Sequence, residues 1–377
     1  MTKKKKNEDI HYKAYKFRIY PTDEQALLIC KTLGCVRFVY NKMLEERIEL
    51  YEKYKDDKVQ LAKQKLPTPA KYKTEFEWLK EVDSLALANA QLNLQAAYQN
   101  FFSGQNDFPT FKSKRSRKTY TTNFVNGNIM LISGQLKLPK LKMVRIKQHR
   151  KIPPHHKIKA CTISMTSTGK YYASILTEYE QEIKPKQIKE VVGLDFSMSE
   201  LYVSSENKRA NYPRYYRQML DKLTKAQRIL SKRKKGSARW KKQRLVVAKL
   251  HEKVANQRKN FLHHRSKELA DNFDMVAIED LNMKAMSKAL HFGKSIADNG
   301  WGMFTTFLEY KLTEQGKKPI KINKWFPSTK KCSCCGAEKN MPLSERTYQC
   351  SCGYTADRDH NSAINIKNEA LRLLALS

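Results

Sequence analysis

The chain has 377 residues, enough for two or three domains that each bury a core. Its 73 Lys and Arg against 37 Asp and Glu leave a net charge of +36, which asks for a polyanionic partner, while 40% apolar residues exclude a disordered basic tail. No run of 18 apolar residues and no apolar signal-peptide core occur, so a cytoplasmic protein without membrane contact is expected. The charge runs through the whole chain instead of along one amphipathic helix, which favours nucleic acid over anionic lipid; the lysines at 3 to 6 are a short tail only.

Residues 14 to 20 alternate basic with apolar or aromatic groups, as in a strand with one face on a core and one toward phosphate. Pro21 stops it, and Thr22 with Gln25 fits a capping box that opens a helix. A second helical stretch is expected after Gly34, then a polar Lys-rich interruption from 52 to 73. A third helix over 78 to 102 carries Leu85, Leu87, Ala88, Leu92, Ala96 and Phe101 as its stripe. A basic loop at 112 to 118 precedes short β-like runs at 119–125, 128–132, 135–138, 143–147, 158–166 and 170–179, the spacing of a small barrel or sandwich. Because 14 to 20 is also strand-like, the helical segment reads as an insertion into that barrel. Beyond it, 189 to 205 reads as a β-hairpin and 214 to 272 as two helices broken at Gly236-Ser237. Residues 275 to 278 form a buried strand ending in Glu279, 300 to 315 a helix, 320 to 325 a strand and 361 to 376 an amphipathic helix. Between 217 and 260 stand sixteen Lys or Arg against only Asp221 and Glu252, a bias that would repel itself without polyphosphate nearby.

Two constellations carry chemistry. Asp195 ends the apolar run Val-Val-Gly-Leu, Glu279 ends Met-Val-Ala-Ile, and Asp359 precedes the last helix. Three carboxylates held on rigid backbone suit phosphodiester hydrolysis with two Mg²⁺ ions about 3.5 to 4 Å apart, because hard cations want oxygen ligands. Taken singly, each acid reads first as an N-cap, a turn residue or half of an ion pair, and Glu200, Asp280 and Asp357 compete for the same roles. The second constellation is Cys332-Ser-Cys334-Cys335-Gly and Cys350-Ser-Cys352-Gly, with fourteen residues between Cys335 and Cys350. Two knuckles at this distance match a structural tetrahedral Zn²⁺ site. Five cysteines compete for four places; Cys332, Cys335, Cys350 and Cys352 are favoured because each pair then ends before a glycine, and Cys334 could replace a neighbour.

The combination Gly-Leu-Asp195, Ile-Glu279-Asp-Leu-Asn, Phe-Pro-Ser-Thr-Lys-Lys-Cys332-Ser-Cys-Cys335-Gly and Asp357-Arg-Asp359-His-Asn-Ser-Ala-Ile-Asn-Ile resembles the TnpB family of transposon-encoded proteins, which look ancestral to type V CRISPR effectors. Weaker likenesses at Tyr15-Lys-Phe-Arg-Ile-Tyr-Pro, Phe38-Val-Tyr-Asn-Lys and Phe108-Pro-Thr-Phe-Lys extend it over nearly the whole chain. The resemblance implies an RNA-guided DNA endonuclease of a prokaryotic cell, nucleoid-associated, with guide RNA and double-stranded target DNA as partners. It implies an α/β multidomain architecture: a β-barrel wedge domain at 1–34 and 108–186, an inserted helical recognition domain at 35–107, a RuvC-like nuclease domain of RNase H fold at 187–330 and 355–377, and a zinc-binding subdomain at 331–354. The family's three acids map onto Asp195, Glu279 and Asp359, and Arg346 matches a position where related nucleases carry an arginine near the active site, although a structural pairing within the zinc loop fits it equally. Two departures stand out: a Cys-x-Cys second knuckle, and Ser362-Ala363 in place of Ala-Ala. Other readings are a guide-independent nuclease, an accessory transposition factor, or a zinc-containing RNA-binding repressor that never cuts.

Overall fold

In a computed structural model the chain divides into two compact units, Met1–Gln181 and Glu182–Ser377. The residues described are 9–283, 285, 286, 298–342 and 344–376; the lysines at 3 to 6 lie outside them.

In the first unit, strand β1 (Ile10–Tyr20) buries Tyr15, Phe17 and Ile19 and turns Lys16 outward, as its alternation predicts. The capping box forms at Thr22 and Gln25, and the Gln25 amide also donates to the carbonyls of Leu141 and Met143, pinning the start of helix α1 (Asp23–Tyr54) to the sheet. Gly34 does not divide this helix. The buried stripe Ile29, Val36, Val39, Met43 and Leu44 runs past it in phase, and its burial outweighs the glycine's cost of about 1 kcal/mol. The polar segment holds two short helices, α2 (Lys58–Lys63) and α3 (Pro69–Glu75). A 3-10 turn (Glu77–Glu81) precedes α4 (Ser84–Phe102), whose buried residues are Ala86, Leu87, Ala90 and Leu94. Leu92 and Ala96, expected on the stripe, are exposed, because the helix face is set by packing on α1 and not by residue type alone.

Six strands follow: β2 (Thr119–Asn123), β3 (Met130–Ile132), β4 (Gln135–Leu138), β5 (Lys142–Lys147), β6 (Lys157–Met165) and β7 (Tyr171–Glu180). They pair antiparallel in the order β2-β6-β7-β1-β5-β4-β3. β1 lies between β7 and β5, so the four helices are inserted in sequence between a central strand and the rest of its sheet.

The second unit is built on a four-stranded sheet. β8 (Val191–Ser197) and β9 (Leu201–Ser204) form the expected hairpin; β10 (Met275–Glu279) lies parallel to β8 and to β11 (Lys318–Ile322), giving the order β11-β10-β8-β9. The long helices α5 (Tyr215–Ser231) and α6 (Ala238–Asn272) separate β9 from β10, and α7 (Trp301–Thr313) precedes β11. β11 is shorter than expected: at Asn323 the side-chain Oδ1 accepts the Trp325 N–H, turning the chain out of the sheet. The last helix, α8 (Arg358–Ala375), starts three residues before the expected point because Asp357 caps it, accepting the N–H groups of Asp359 and His360. Val192, Leu194, Val276 and Ile278 face a core shared with α7, while Val191, Met275, Ala277 and Ile322 face Ile366 and Ala370 of α8. β12 (Thr347–Gln349) and β13 (Thr355–Asp357) form a small hairpin beside the cysteines, where Cys332, Met341 and Tyr348 are the buried core among the described residues, with Cys350 and Tyr354 packed against them. The described residues are thus a mixed α/β chain; no helix among them is long and apolar enough to cross a membrane.

Candidate active site and metal centre

The register of β8 and β10 fixes two of the acids. Val191 pairs with Met275, Gly193 with Ala277 and Leu194 with Ile278, so Asp195 and Glu279 follow in step. Period two then places Gly193 and Asp195, like Ala277 and Glu279, on the face toward α8. Gly193 is what lets the helix come close. A Cβ there would overlap the Ala363 carbonyl oxygen and stand 2.6 Å from the Lys367 nitrogen. With the helix at this depth, the Ser362 hydroxyl donates to Asp195 Oδ1 at 3.1 Å, and Asp359 comes near enough for its charge to act on Asp195.

Burial, then the charges of Glu279 and Asp359, push the Asp195 carboxyl well above the usual carboxylate range, against the smaller opposing pull of Ser362 and Arg358. Burial also raises Glu279, offset in part by the Ser328 hydroxyl that donates to its Oε1. Arg358 donates from Nε and Nη2 to Asp359 Oδ1 at 3.1 and 3.0 Å. Asp195 and Asp359 thus share one described guanidinium in a half-buried setting, while Glu279 has the Ser328 hydroxyl. That surplus of negative charge stands inside a chain of net +36, and its donors are all oxygens, the kind that hard divalent cations take. Of the competing acids, Asp357 caps α8 and pairs with Arg209 at 2.9 Å, and Asp280 is exposed past the strand end.

Arg346 is exposed, and its carbonyl accepts the Arg358 N–H at 2.8 Å. Among the described contacts it is Arg358, not Arg346, whose guanidinium meets an acid. Sequence reasoning gave no site role to Arg358, Ser328, Ser362 or Gly193, although all four lie inside quoted motifs and Ser362 is one of the noted departures.

The favoured cysteines gather. The sulfurs of Cys332, Cys335, Cys350 and Cys352 all lie within 4.8 Å of one another, with Cys332 to Cys352 at 3.9 Å and Cys335 to Cys350 at 3.5 Å. A tetrahedral zinc with bonds of about 2.3 Å separates its sulfurs by about 3.8 Å, so the thiolates fit Zn²⁺, and Cys334 is exposed outside the group. The centre is tied to α8. Asn361 accepts the Ser333 N–H and donates to the Lys331 carbonyl, Asn365 donates to Ser328 and Lys331, and Arg358 Nη1 donates to the Glu345 carbonyl. The loops that hold the cysteines therefore also hold the helix that presents Asp359.

Of the sixteen basic residues between 217 and 260, fifteen are exposed on α5, α6 and their turn; Arg258 is half-buried and pairs with Asp298 at 3.2 Å. In the first unit the loop at 112 to 118 is fixed to α1 by Asn41, which exchanges hydrogen bonds with the Lys112 backbone, and Lys112 Nζ lies 3.6 Å over the Tyr40 ring. A cavity beside it is lined by Arg37, Lys112, Lys114, Arg117 and Lys118.

Known proteins resemble the chain over most of its length. Residues 174–290 match a family of probable transposases (IS605 OrfB), 301–366 a Cas12f1-like TNB domain, and 11–56 a helix-turn-helix domain of the same transposase family. The last region folds here as β1 and one uninterrupted helix. A Streptomyces pristinaespiralis protein named "Putative RNA-guided DNA endonuclease" is 34% identical over 94% of this chain and 88% of its own length. A second of that description, InsQ of Escherichia coli K12, is 30% identical over 94% of this chain and 91% of its own. A Cas12f1 chain solved with guide RNA and target DNA shares the fold, with a TM-score of 0.58 over 96% of this chain and all of that one at 13% identity. Given two near full-length relatives at this identity, the chain belongs to the TnpB (IS605 OrfB) family.

Proposed function

We propose that the protein is an RNA-guided DNA endonuclease encoded by a transposable element. It would bind a guide RNA transcribed from the element's end and cut target DNA beside a short motif. The observation that carries this reading is the convergence of Asp195, Glu279 and Asp359 in one half-buried site within a strongly basic chain. Sequence specificity then belongs to base pairing, and the protein reads the short motif and the shape of the heteroduplex. We assign the seven-stranded sheet (1–34 and 108–186) to a barrel-like wedge domain and 35–107 to the recognition domain. Residues 187–330 and 355–377 are assigned to a RuvC-like domain of RNase H fold, and 331–354 to its zinc-binding subdomain.

Asp195, Glu279 and Asp359 would hold two Mg²⁺ ions, whose chemistry is activation of water and neutralisation of the in-line transition state. The chain's own part is positioning. Ser362 and Ser328 orient Asp195 and Glu279, and Arg358 fixes Asp359 against the zinc loop. Arg346, exposed on that loop, is assigned to the charge that develops on the phosphate. Cys332, Cys335, Cys350 and Cys352 would bind a structural Zn²⁺ with no position open for water. The basic hairpin of α5 and α6 and the 112–118 loop take phosphates of guide and heteroduplex. With a single nuclease site, the two strands are cut in turn. Asp195→Ala should abolish plasmid cleavage while the variant still co-purifies with its guide RNA; persistent cutting would show that the site is misassigned.

A further inference from the structure

Trp325 is 80% exposed, the most exposed large hydrophobic side chain among the described residues. It is not on a loose tip. The Asn323 side chain fixes its N–H at 2.9 Å, the next residue, Phe326, packs on the core beside α8, and three residues on Ser328 is buried with its hydroxyl on Glu279. One short anchored loop therefore orients an acid of the site with one side chain and holds an indole ring out to solvent with another. The ring contributes little burial to the fold; a single exposed apolar side chain is ordinary, and it is what stands around this one that points to a ligand.

The surroundings name the ligand's chemistry. Trp325 borders an open cavity of about 870 Å³ shared with Asp280, Asn282, Lys321 and Lys324. Lys324 Nζ lies 5.0 Å from the indole centroid. The cavity begins where the site ends, because Asp280 follows Glu279, and Ile322, three residues before Trp325, is the register partner of Glu279. An aromatic face beside an ammonium group is the arrangement that holds single-stranded nucleic acid, the ring stacking on a base and the cation meeting its phosphate; Lys321 also lines the cavity, its Nζ 3.7 Å from Glu309. We propose that Trp325 is a stacking platform for a nucleobase of the DNA strand presented to Asp195, Glu279 and Asp359, within a few nucleotides of the cut, with Lys324 on the adjoining phosphate. This deepens the nuclease reading above and rests on it.

The test uses the full chain with its guide RNA and matched DNA carrying a single abasic site stepped through the cut strand. In the wild type, an abasic site at the stacked position slows cleavage. Trp325→Ala should slow cleavage of intact DNA by roughly 5- to 150-fold, the range expected for one lost base stack. Trp325→Phe should restore most of the rate, and the abasic site should add no further loss in Trp325→Ala. Stacking is read without cutting as quenching of tryptophan emission by an oligothymidylate probe in EDTA, present in the wild type and lost in Trp325→Phe. Wild-type cleavage with an unaffected Trp325→Ala rate and unchanged quenching would overturn the platform and leave the nuclease standing. Failure of the wild type to cut, with quenching that depends on Trp325, would overturn the nuclease reading and the placement on a cut strand while leaving a base-stacking surface. Indole emission already shielded from acrylamide in the free protein would mean that protein covers the ring, and would also sink the proposal.

Discussion

Replacing Gly193 with alanine tests how the active site is assembled. The new Cβ would overlap the Ala363 carbonyl and stand 2.6 Å from the Lys367 nitrogen, about 0.8 Å short of the 3.4 Å at which ordinary contact begins. Both obstacles are backbone, so no side chain can swing away, and α8 must recede from β8 by something near 1 Å. Overpacking of this kind costs about 1–3 kcal/mol. In a unit of this size each kcal/mol lowers Tm by about 2–4 °C, so the melting of the second unit should drop by roughly 2–12 °C. The larger effect is on catalysis, because α8 carries Asp359 and the Ser362 hydroxyl that meets Asp195. A displacement of about 1 Å is enough for a loss of roughly 100-fold in rate. Cleavage of matched plasmid should fall by that order while guide RNA still co-purifies. Gly34→Ala is the control: it lies in the middle of α1 with open space at its Cβ, and should raise stability by about 0.5–1 kcal/mol without touching cleavage. Wild-type cutting and an unchanged Tm for Gly193→Ala would refute the idea that close approach of α8 builds the site.

The cysteine assignment predicts that Cys335→Ser loses bound zinc and Cys334→Ser keeps it, measured by metal analysis of the purified protein; equal zinc content in both would contradict the chosen four. Arg358 is mostly buried against Asp359, with side-chain exposures of 11% and 16%. Arg358→Ala should therefore cost about 3–5 kcal/mol in urea unfolding, as removal of one partner of a buried ion pair does. Arg346→Ala, at an exposed position, should stay within about 0.5 kcal/mol. Asp274 is held down at about 2 by Lys186 and by the backbone N–H groups of Glu190 and Lys189. Its stabilising contribution is present above the unfolded value near ~3.9 and fades as pH falls toward about 2. Asp274→Asn should lower Tm at pH 5 and flatten its fall across that window.

Period-two alternation made the strands legible, and the apolar runs into Asp195 and Glu279 read correctly as buried strands that end in acids. What a single sequence could not supply was their mutual register, and with it the fact that both acids share the α8 face. Gly34 and Gly193 look alike in sequence; one is an incidental helix residue and the other makes room for a backbone, a difference that exists only once α8 is packed. Leu92 misled for a related reason, since the turn of α4 toward α1 favours Leu94. Arg358 stood between two acids in the quoted motif, but adjacency in sequence does not say which acid a guanidinium will meet. The cysteines were most legible, because thiolate spacing constrains a tetrahedral site almost without reference to the rest of the chain.

The central claim is guided cleavage, and the most direct measurement is digestion of a plasmid by the purified protein–RNA complex with matched and mismatched guides in Mg²⁺. Cutting of the matched plasmid alone, and none by the Asp195→Ala complex, is the predicted result. Cutting that ignores the guide sequence, or that survives loss of Asp195, would contradict the account.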